Sequence, residues 1–254
     1  MTIIDTFDDK SEAIISPSQI FRPVEGFPKV AVVAFGERFI TSLHEHYEPE
    51  IIDKMHLCIT VPIYQINHAG KDIAVYGSTV GGPAAVVLME DMIAKGCESF
   101  LFFGSCGVLN REIAAKSLIV PTAAYRDEGT SYHYAPPGDY IEVPTAHKLA
   151  DILTELKLPH VCGKTWTTDA VYRETRANME KRKNEGCITV EMECASIMAV
   201  AKFRGVQAYQ FLYAADSLDE VEWDPRTLAG LQLEDRGKLL RIALEIAVRI
   251  QIKA

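Results

Sequence analysis

The sequence predicts a single α/β domain with a central mixed sheet flanked by helices. Short apolar runs alternate with longer amphipathic segments, as expected when strands alternate with helices. A length of 254 residues, 48% of them hydrophobic and 24% charged, suffices for one large domain with a substantial core. No repeat, low-complexity segment or long linker divides the chain. We expect residues 1–28 to form a loose N-terminal leader and residues 29–254 to form the domain.

Six apolar runs are the candidate strands, and six amphipathic segments are the candidate helices. The strands are expected at residues 30–34, 73–76, 100–103, 118–121, 187–190 and 208–215. The helices are expected at residues 37–47, 83–95, 146–156, 174–184, 192–204 and 233–250. Gly96 and Gly205 directly follow two of these helices, where glycine commonly ends a helix in the left-handed conformation.

Composition excludes several classes of protein. The net charge of −9 and the pI near 5.3 argue against a general nucleic-acid or membrane surface, although one pocket can still be basic. The six cysteines contain no CxxC pair, which favours buried thiols in a reducing compartment. The N-terminus carries acids where a secretory signal carries positive charge, and no apolar run could span a bilayer. We therefore expect a soluble cytoplasmic protein without cofactor or metal.

Two carboxylates stand two residues apart where an apolar strand is expected to pass into a helix. They are Glu191 and Glu193, separated by Met192. Carboxylates near a core need a partner, and a bound polyol is one candidate. Alternatively, both are first-turn acids that face water and are favoured by the helix dipole. The spacing leaves both interpretations open.

Two glycine-containing segments follow predicted strands. Residues 77–83 open a helix, so free backbone N–H groups would meet at a helix N-terminus suited to an anion. Residues 102–107 repeat the arrangement, and there Ser105, after Gly104, offers a hydroxyl and a backbone donor. The alternative for both segments is a tight turn without a ligand.

Further polar residues follow other predicted strands. Asp216 stands just beyond an apolar run, where partial burial could raise its pKa and let it donate a proton; the alternative is a turn or helix-cap aspartate. Thr168, Asp169 and Tyr172 form a second polar segment, with a surface turn as its alternative. His133, in the loop of residues 125–140, is either catalytic or packed between tyrosines. Ligands of α/β sheets bind at strand carboxyl ends, which suggests one crevice.

Together these segments resemble the nucleoside phosphorylase family that contains uridine phosphorylase, hexameric purine nucleoside phosphorylase and related nucleosidases. The resemblance extends from about the first strand to the last helix. Residues 190–193 look like the family's ribose-binding signature, and residues 104–107 look like its phosphate-side turn. Residues 129–136, which include His133, resemble a loop of the uridine enzymes. A nucleoside phosphorylase-like fold is therefore expected.

The resemblance implies roles for individual residues. Glu193 would accept hydrogen bonds from the ribose 2′ and 3′ hydroxyls, with Met192 packing against the sugar and Glu191 in the same signature. Asp216 matches the aspartate with which purine-cleaving members protonate the departing base. The base-side residues of the implied site are Thr168, Asp169 and Tyr172. Its phosphate-side residues are Gly104, Ser105, Gly36 and Arg38.

The chain also departs from the family pattern. Phe102 and Phe103 stand where phosphorolytic members carry an arginine before the phosphate-side turn, and a phenyl ring cannot replace a guanidinium. Ile59 falls where some members supply an arginine across a subunit interface. Arg38, Arg126 or Arg173 would then have to reach the phosphate.

Three functions remain open on the sequence. The first is a pentosyltransferase of nucleotide salvage that moves ribose to inorganic phosphate, with purine nucleosides slightly favoured over uridine. The second is a nucleosidase that uses water, and the third is a nucleoside-binding protein without catalysis. By resemblance we also expect a homo-oligomer, a dimer or a hexamer.

Overall fold

The computed structural model describes residues 2–228 and 230–252, without the side chains of Glu37 and Ile252; residue 1 of the expected leader and residues 229, 253 and 254 of the expected domain lie outside it. The strands of the described part are β1 (Val30–Phe35), β2 (Glu50–His56), β3 (Thr60–His68), β4 (Lys71–Ser78), β5 (Ser99–Val108), β6 (Leu118–Asp127), β7 (Tyr140–Glu142), β8 (His160–Thr168), β9 (Cys187–Glu191) and β10 (Gln207–Ser217). Its α-helices are α1 (Pro17–Ile20), α2 (Glu37–His46), α3 (Gly82–Lys95), α4 (Ala146–Glu155), α5 (Arg176–Asn184), α6 (Cys194–Arg204) and α7 (Leu233–Ile252). Short 3-10 helices span Ile3–Asp5, Thr130–His133 and Val171–Arg173. The predicted α/β domain with a mixed sheet is confirmed.

Part of the sheet closes into a barrel. β5 pairs in parallel with β10, and β10 pairs antiparallel with β6. β6 and β8 are parallel, as are β8 and β9, and β9 returns antiparallel to β5. On the other side of β5 the sheet continues through β1, β4, β3 and β2, while the short β7 pairs with β6. The closed part brings the ends of β9 and β10 to the same region of β5.

Residues 104–107 do not form the predicted glycine turn, because they continue β5. Up to Phe103, β5 lies between β1 and β10. Beyond that residue β9 takes the place of β1, with Gly107 opposite Val190, so β5 keeps ladder partners. Gly104 packs closely on Phe35, since a Cβ there would lie 3.0 Å from atoms of that side chain, which would have to shift by a few tenths of an ångström.

The helices cover the sheet and bury one large apolar core. α3 packs on α6, and α2 packs on α7. Gly96 and Gly205 end α3 and α6 with φ of 113° and 70°, which confirms the two predicted left-handed helix ends.

Four strands were not expected from apolar runs: β2, β3, β7 and β8. β2 is mostly exposed and β7 is only three residues long. The loop expected at residues 125–140 is also shorter, because β6 extends to Asp127. α6 begins at Cys194 rather than at residue 192, because the Glu191 carboxylate accepts the N–H groups of Glu193 and Cys194.

Residues 2–28 lie against the domain at a few points. The N–H of Val24 donates to the carbonyl of Lys95 at 3.0 Å, and the Thr6 hydroxyl contacts the carbonyl of Tyr132 at 3.4 Å. Phe27 is buried, whereas most of the preceding side chains are exposed. In the described part of the chain, no helix is long and apolar enough to cross a membrane.

Candidate active site

Glu193 stands at the start of α6 and faces the start of α3. Its Oε1 accepts a hydrogen bond from the N–H of Gly81 at 2.6 Å. Gly81 has a φ of 103°, which favours glycine. The helix N-terminus predicted to bind an anion thus contacts the protein's own carboxylate. Burial raises the pKa of Glu193, and the negative charge of Glu191 raises it further.

Glu191 is turned into the protein. Its Oε1 accepts from the Thr167 hydroxyl at 2.5 Å, and its Oε2 accepts from the N–H groups of Glu193 and Cys194 at 2.8 and 2.7 Å. Burial raises the pKa of Glu191 against the opposing effect of these three donors. The contacts fix the chain on both sides of Met192, which is half-buried between the two glutamates.

Asp216 lies near the end of β10, where a bulge redirects the strand. The β10–β5 register shifts between Ala214 and Asp216, which places Asp216 opposite Gly107. Its Oδ2 accepts a hydrogen bond from Trp223 Nε1 at 2.8 Å. Burial raises the pKa of Asp216 despite this donor. A protonated carboxyl at this point can donate to a ligand.

Asp216 lines a cavity of about 490 Å³ with largely apolar walls. Tyr172, Leu218 and Trp223 contribute to these walls, and Glu174 is the second acid. Burial and the negative charge of Asp216 raise the pKa of Glu174 to about 7. A flat heterocycle fits such a cavity, because ring faces pack on apolar side chains and ring nitrogens meet carboxyl groups. We call it the base pocket.

A second cavity, of about 350 Å³, adjoins the base pocket, since Leu228 lines both. Gly36, Arg38 and Ser105 line it, together with Tyr213 and Arg236. Gly36 precedes α2, whose N-terminus carries partial positive charge. Two guanidinium groups, hydroxyl groups and a helix N-terminus suit an anion. We call this cavity the anion pocket.

Neighbouring strands bring the carboxylates together. Asp216 lies opposite Gly107 in β5, and Gly107 lies opposite Val190 in β9, three residues before Glu193. Burial raises the pKa of the Cys106 thiol, and the negative charges of Asp216 and Glu191 raise it further. Ser105 and Tyr213 lie opposite each other in the β5–β10 ladder, and both line the anion pocket.

The other predicted site residues have different surroundings. Thr168 is buried and its hydroxyl contacts Asp127 at 3.3 Å, whereas Tyr172 lines the base pocket. Asp169 accepts a hydrogen bond from the N–H of Gly129. Its negative charge raises the pKa of Glu193, so Asp169 lies near Glu193. His133 is exposed and lines a surface cavity with residues of the N-terminal segment.

Arg126 is held by its own loop. Its guanidinium donates to the carbonyls of Pro136 and Ala135 and to the Ser131 hydroxyl, and it stacks 4.0 Å from the Tyr132 ring. Arg173 is exposed and lines neither pocket. Of the three arginines considered from the sequence, Arg38 is the one in the anion pocket.

A model of the phosphorylase superfamily matches residues 29–249. The chain belongs to the phosphorylase superfamily. Guanosine phosphorylase of Halorubrum lacusprofundi is 29% identical over 154 residues, covering 58% of this chain and 61% of that protein. A DeoD-type purine nucleoside phosphorylase of Bacillus cytotoxicus is 25% identical over 189 residues, covering 72% and 78%. The predicted relationship to nucleoside phosphorylases is confirmed.

A solved structure supports the same fold. The crystal structure of purine nucleoside phosphorylase from Toxoplasma gondii, in complex with immucillin-H, superposes with a TM-score of 0.74. The superposition covers 98% of this chain and 100% of that one, at 17% identity. The nucleoside phosphorylase-like fold predicted for this superfamily member is confirmed.

Four residues of the candidate site were missed in the sequence. Trp223 and Glu174 line the base pocket, and Tyr213 and Arg236 line the anion pocket. Trp223 lies in an irregular segment after β10, and Arg236 lies in the first turn of α7. Neither belongs to a local motif, so only the folded arrangement brings them to the site. Glu174 stands two residues after Tyr172, a predicted site residue, and this position was the one indication of it in the sequence.

Proposed function

We propose that the protein is a nucleoside phosphorylase that acts on purine nucleosides. It would transfer the pentosyl group from the base to inorganic phosphate, releasing a free base and a pentose 1-phosphate. The observation that carries the proposal is the junction of the base pocket, which contains Asp216, with the anion pocket, which contains Arg38 and Ser105. A base and a phosphate would thus be held side by side, with the sugar between them.

Glu193 is suited to hold the sugar. A carboxylate has about four acceptor positions, and the N–H groups of Gly81 and Met192 use only part of them. The remaining capacity matches vicinal hydroxyls, which donate. Met192 is half-buried beside this carboxylate and offers an apolar surface to the pentose ring.

The chemistry follows from these positions. The bond between the anomeric carbon and the base nitrogen breaks, and its electron pair goes to the base. The protonated Asp216 donates its proton to the base, which makes it a better leaving group. A phosphate oxygen held in the anion pocket attacks the anomeric carbon of the oxocarbenium-like sugar. Developing positive charge on the sugar is balanced by the phosphate beside it.

A purine is favoured by the acid in the base pocket. Purines have a ring nitrogen in addition to the bonded one that can accept a proton from Asp216, and the raised pKa of this carboxyl suits it as a donor. The relatives from Halorubrum and Bacillus carry guanosine and purine nucleoside phosphorylase names. The resemblance also supports a cytoplasmic homo-oligomer, a dimer or a hexamer, which light scattering after size-exclusion chromatography would test.

Turnover of a nucleoside panel tests the proposal directly. Inosine, guanosine, adenosine and uridine are each incubated with and without phosphate, and both free base and sugar product are measured. We expect purine release that depends on phosphate and yields equal amounts of pentose 1-phosphate. Base release without phosphate would make the protein a hydrolase. No release, despite measurable nucleoside binding, would leave a binding protein.

The Glu193→Ala variant tests the sugar site. We expect turnover to be abolished because the pentose loses its acceptor. Glu98→Ala is the control, since Glu98 is an exposed carboxylate paired with Lys29 beside the start of β5. Undiminished turnover in Glu193→Ala would overturn the assignment of this residue.

A further inference from the structure

We infer that Arg236, from the first turn of α7, is a principal phosphate-binding residue of this enzyme. The inference rests on the proposed function, since it names which side chain anchors the nucleophile. The sequence pattern gave no sign of such a residue. The phosphate site of this chain would thus be assembled partly from its last helix.

The first observation is that the guanidinium of Arg236 has a buried N–H group without a hydrogen-bond partner. Arg236 lines the anion pocket together with Arg38 and Ser105, and the buried group is its Nε. A buried donor without a partner is costly, so a ligand that accepts from it gains affinity. Within the described residues, no side chain forms an ion pair or hydrogen bond with the guanidinium of Arg236 or Arg38.

The second observation is that nearby acids are already engaged. Asp235 and Glu234 precede Arg236 in the same helical turn. Asp235 pairs with Lys116 at 2.6 Å, and Glu234 pairs with Lys238 at 2.7 Å. The arginine in the pocket therefore keeps its charge available for an incoming anion.

The third observation is that β5 supplies no cation. Phe102 is fully buried, and its ring stacks on Phe35 and Phe100 with centroids 6.1 Å apart. Phe103 is equally buried and stacks on Phe211. Positive charge in the anion pocket comes instead from α2, through Arg38, and from α7, through Arg236. Two guanidinium groups from different helices can hold a dianion from two directions.

The hydroxyl groups support the same anion. Tyr213 lies beside both Ser105 and Arg236; burial raises the pKa of its phenol, and the Ser105 contact and the Arg236 charge oppose that rise. Serine and tyrosine hydroxyls can each donate to a phosphate oxygen. With the guanidinium of Arg236 beside them, a phosphate would meet donors of three kinds.

The test compares Arg236→Met and Arg236→Lys with wild type in initial rates at varied phosphate. We expect Arg236→Met to raise the KM for phosphate roughly 10- to 100-fold, as for a lost charge-assisted hydrogen bond. The KM for the nucleoside should change little, and Arg236→Lys should fall between the two. Arg249→Met is the matched control, because Arg249 lies on the same helix, pairs with Glu245 and lines neither pocket. Circular dichroism verifies that each variant is folded.

Phosphate binding is measured separately by its effect on thermal unfolding. Phosphate should raise the Tm of wild type and of Arg249→Met, and should raise that of Arg236→Met much less. An unchanged phosphate KM and an unchanged Tm shift in Arg236→Met would overturn the inference. If wild type binds phosphate through Arg236 but releases no base, the proposed function fails and this inference stands. Absence of any phosphate effect on wild type would overturn both.

Discussion

Trp223 is expected to set the pH range of the enzyme through its contact with Asp216. The indole Nε1 donates to Asp216 Oδ2 at 2.8 Å, and this bond favours the charged carboxylate. Replacing the indole by a phenyl ring in Trp223→Phe keeps an aromatic wall but removes the donor. The pKa of Asp216 should therefore rise, because burial then acts with less opposition.

The size of the shift follows from the exposure of the indole. A hydrogen bond to a charged group contributes about 1.5–3 kcal/mol. Trp223 is 57% exposed, so water replaces part of the lost bond and the lower limit applies. About 1.4 kcal/mol corresponds to one pKa unit. Asp216 must be protonated to donate, so activity is lost as pH rises through its pKa. The variant should lose activity about one pH unit higher than wild type.

The assay is kcat against pH for phosphorolysis of one purine nucleoside, from about pH 5 to 10. Trp166→Phe is the matched control: Trp166 Nε1 donates to Asp127 Oδ2 at 2.9 Å, away from the base pocket. The chain has two tryptophans, so fluorescence of this control also reports nucleoside binding at Trp223. A high-pH limb that stays in place or moves lower in Trp223→Phe would refute the reasoning.

Three further predictions concern neighbouring groups. Glu174→Gln should stabilise the protein by about 1–2 kcal/mol at pH 8 and change its stability little at pH 4. The reason is that the pKa of Glu174 is raised from 4.5 to about 7, so wild-type stability falls as pH rises through that window. Equal effects at both pH values in denaturant titrations would contradict this. Glu191→Ala should cost about 3 kcal/mol, or roughly 6–12 °C in Tm, because three donors lose their acceptor; scanning calorimetry that finds wild-type Tm would exclude this role. Arg126→Met should lower Tm while leaving the KM for phosphate unchanged, since Arg126 serves its loop; a large rise in that KM would instead place Arg126 in the phosphate site.

The sequence could predict the parts of the fold that depend on local pattern. Apolar runs locate β1, β4, β5 and β10, and glycines locate the ends of α3 and α6. β2 and β8 carry polar or exposed side chains because each borders solvent for much of its length. Barrel closure was also beyond prediction, since it depends on β9 returning to β5 through only two residue pairs.

The candidate site shows the same division. Glu191, Glu193 and Asp216 stand at ends of apolar runs, so their place at the carboxyl ends of strands could be inferred from chain position. Trp223 and Arg236 also belong to the site, but neither follows an apolar run, so no local pattern marks them. Trp223 lies in the segment between β10 and α7, Arg236 lies in the first turn of α7, and only tertiary packing determines where each side chain is placed.

The three carboxylates differ in how many hydrogen bonds they accept from the protein, and this number indicates what each can do for a ligand. Glu191 accepts three hydrogen bonds from the protein and has little capacity left, so its effect on a ligand passes through the position of Glu193. Glu193 is held mainly by backbone N–H groups and keeps positions for sugar hydroxyls. Asp216 has one indole donor on Oδ2, while its Oδ1 faces Gly107, where a Cβ would come within 3.4 Å. Under the proposed function, the same side chain type would therefore serve as a support, a sugar acceptor and a proton donor, because the surrounding chain satisfies each one to a different extent.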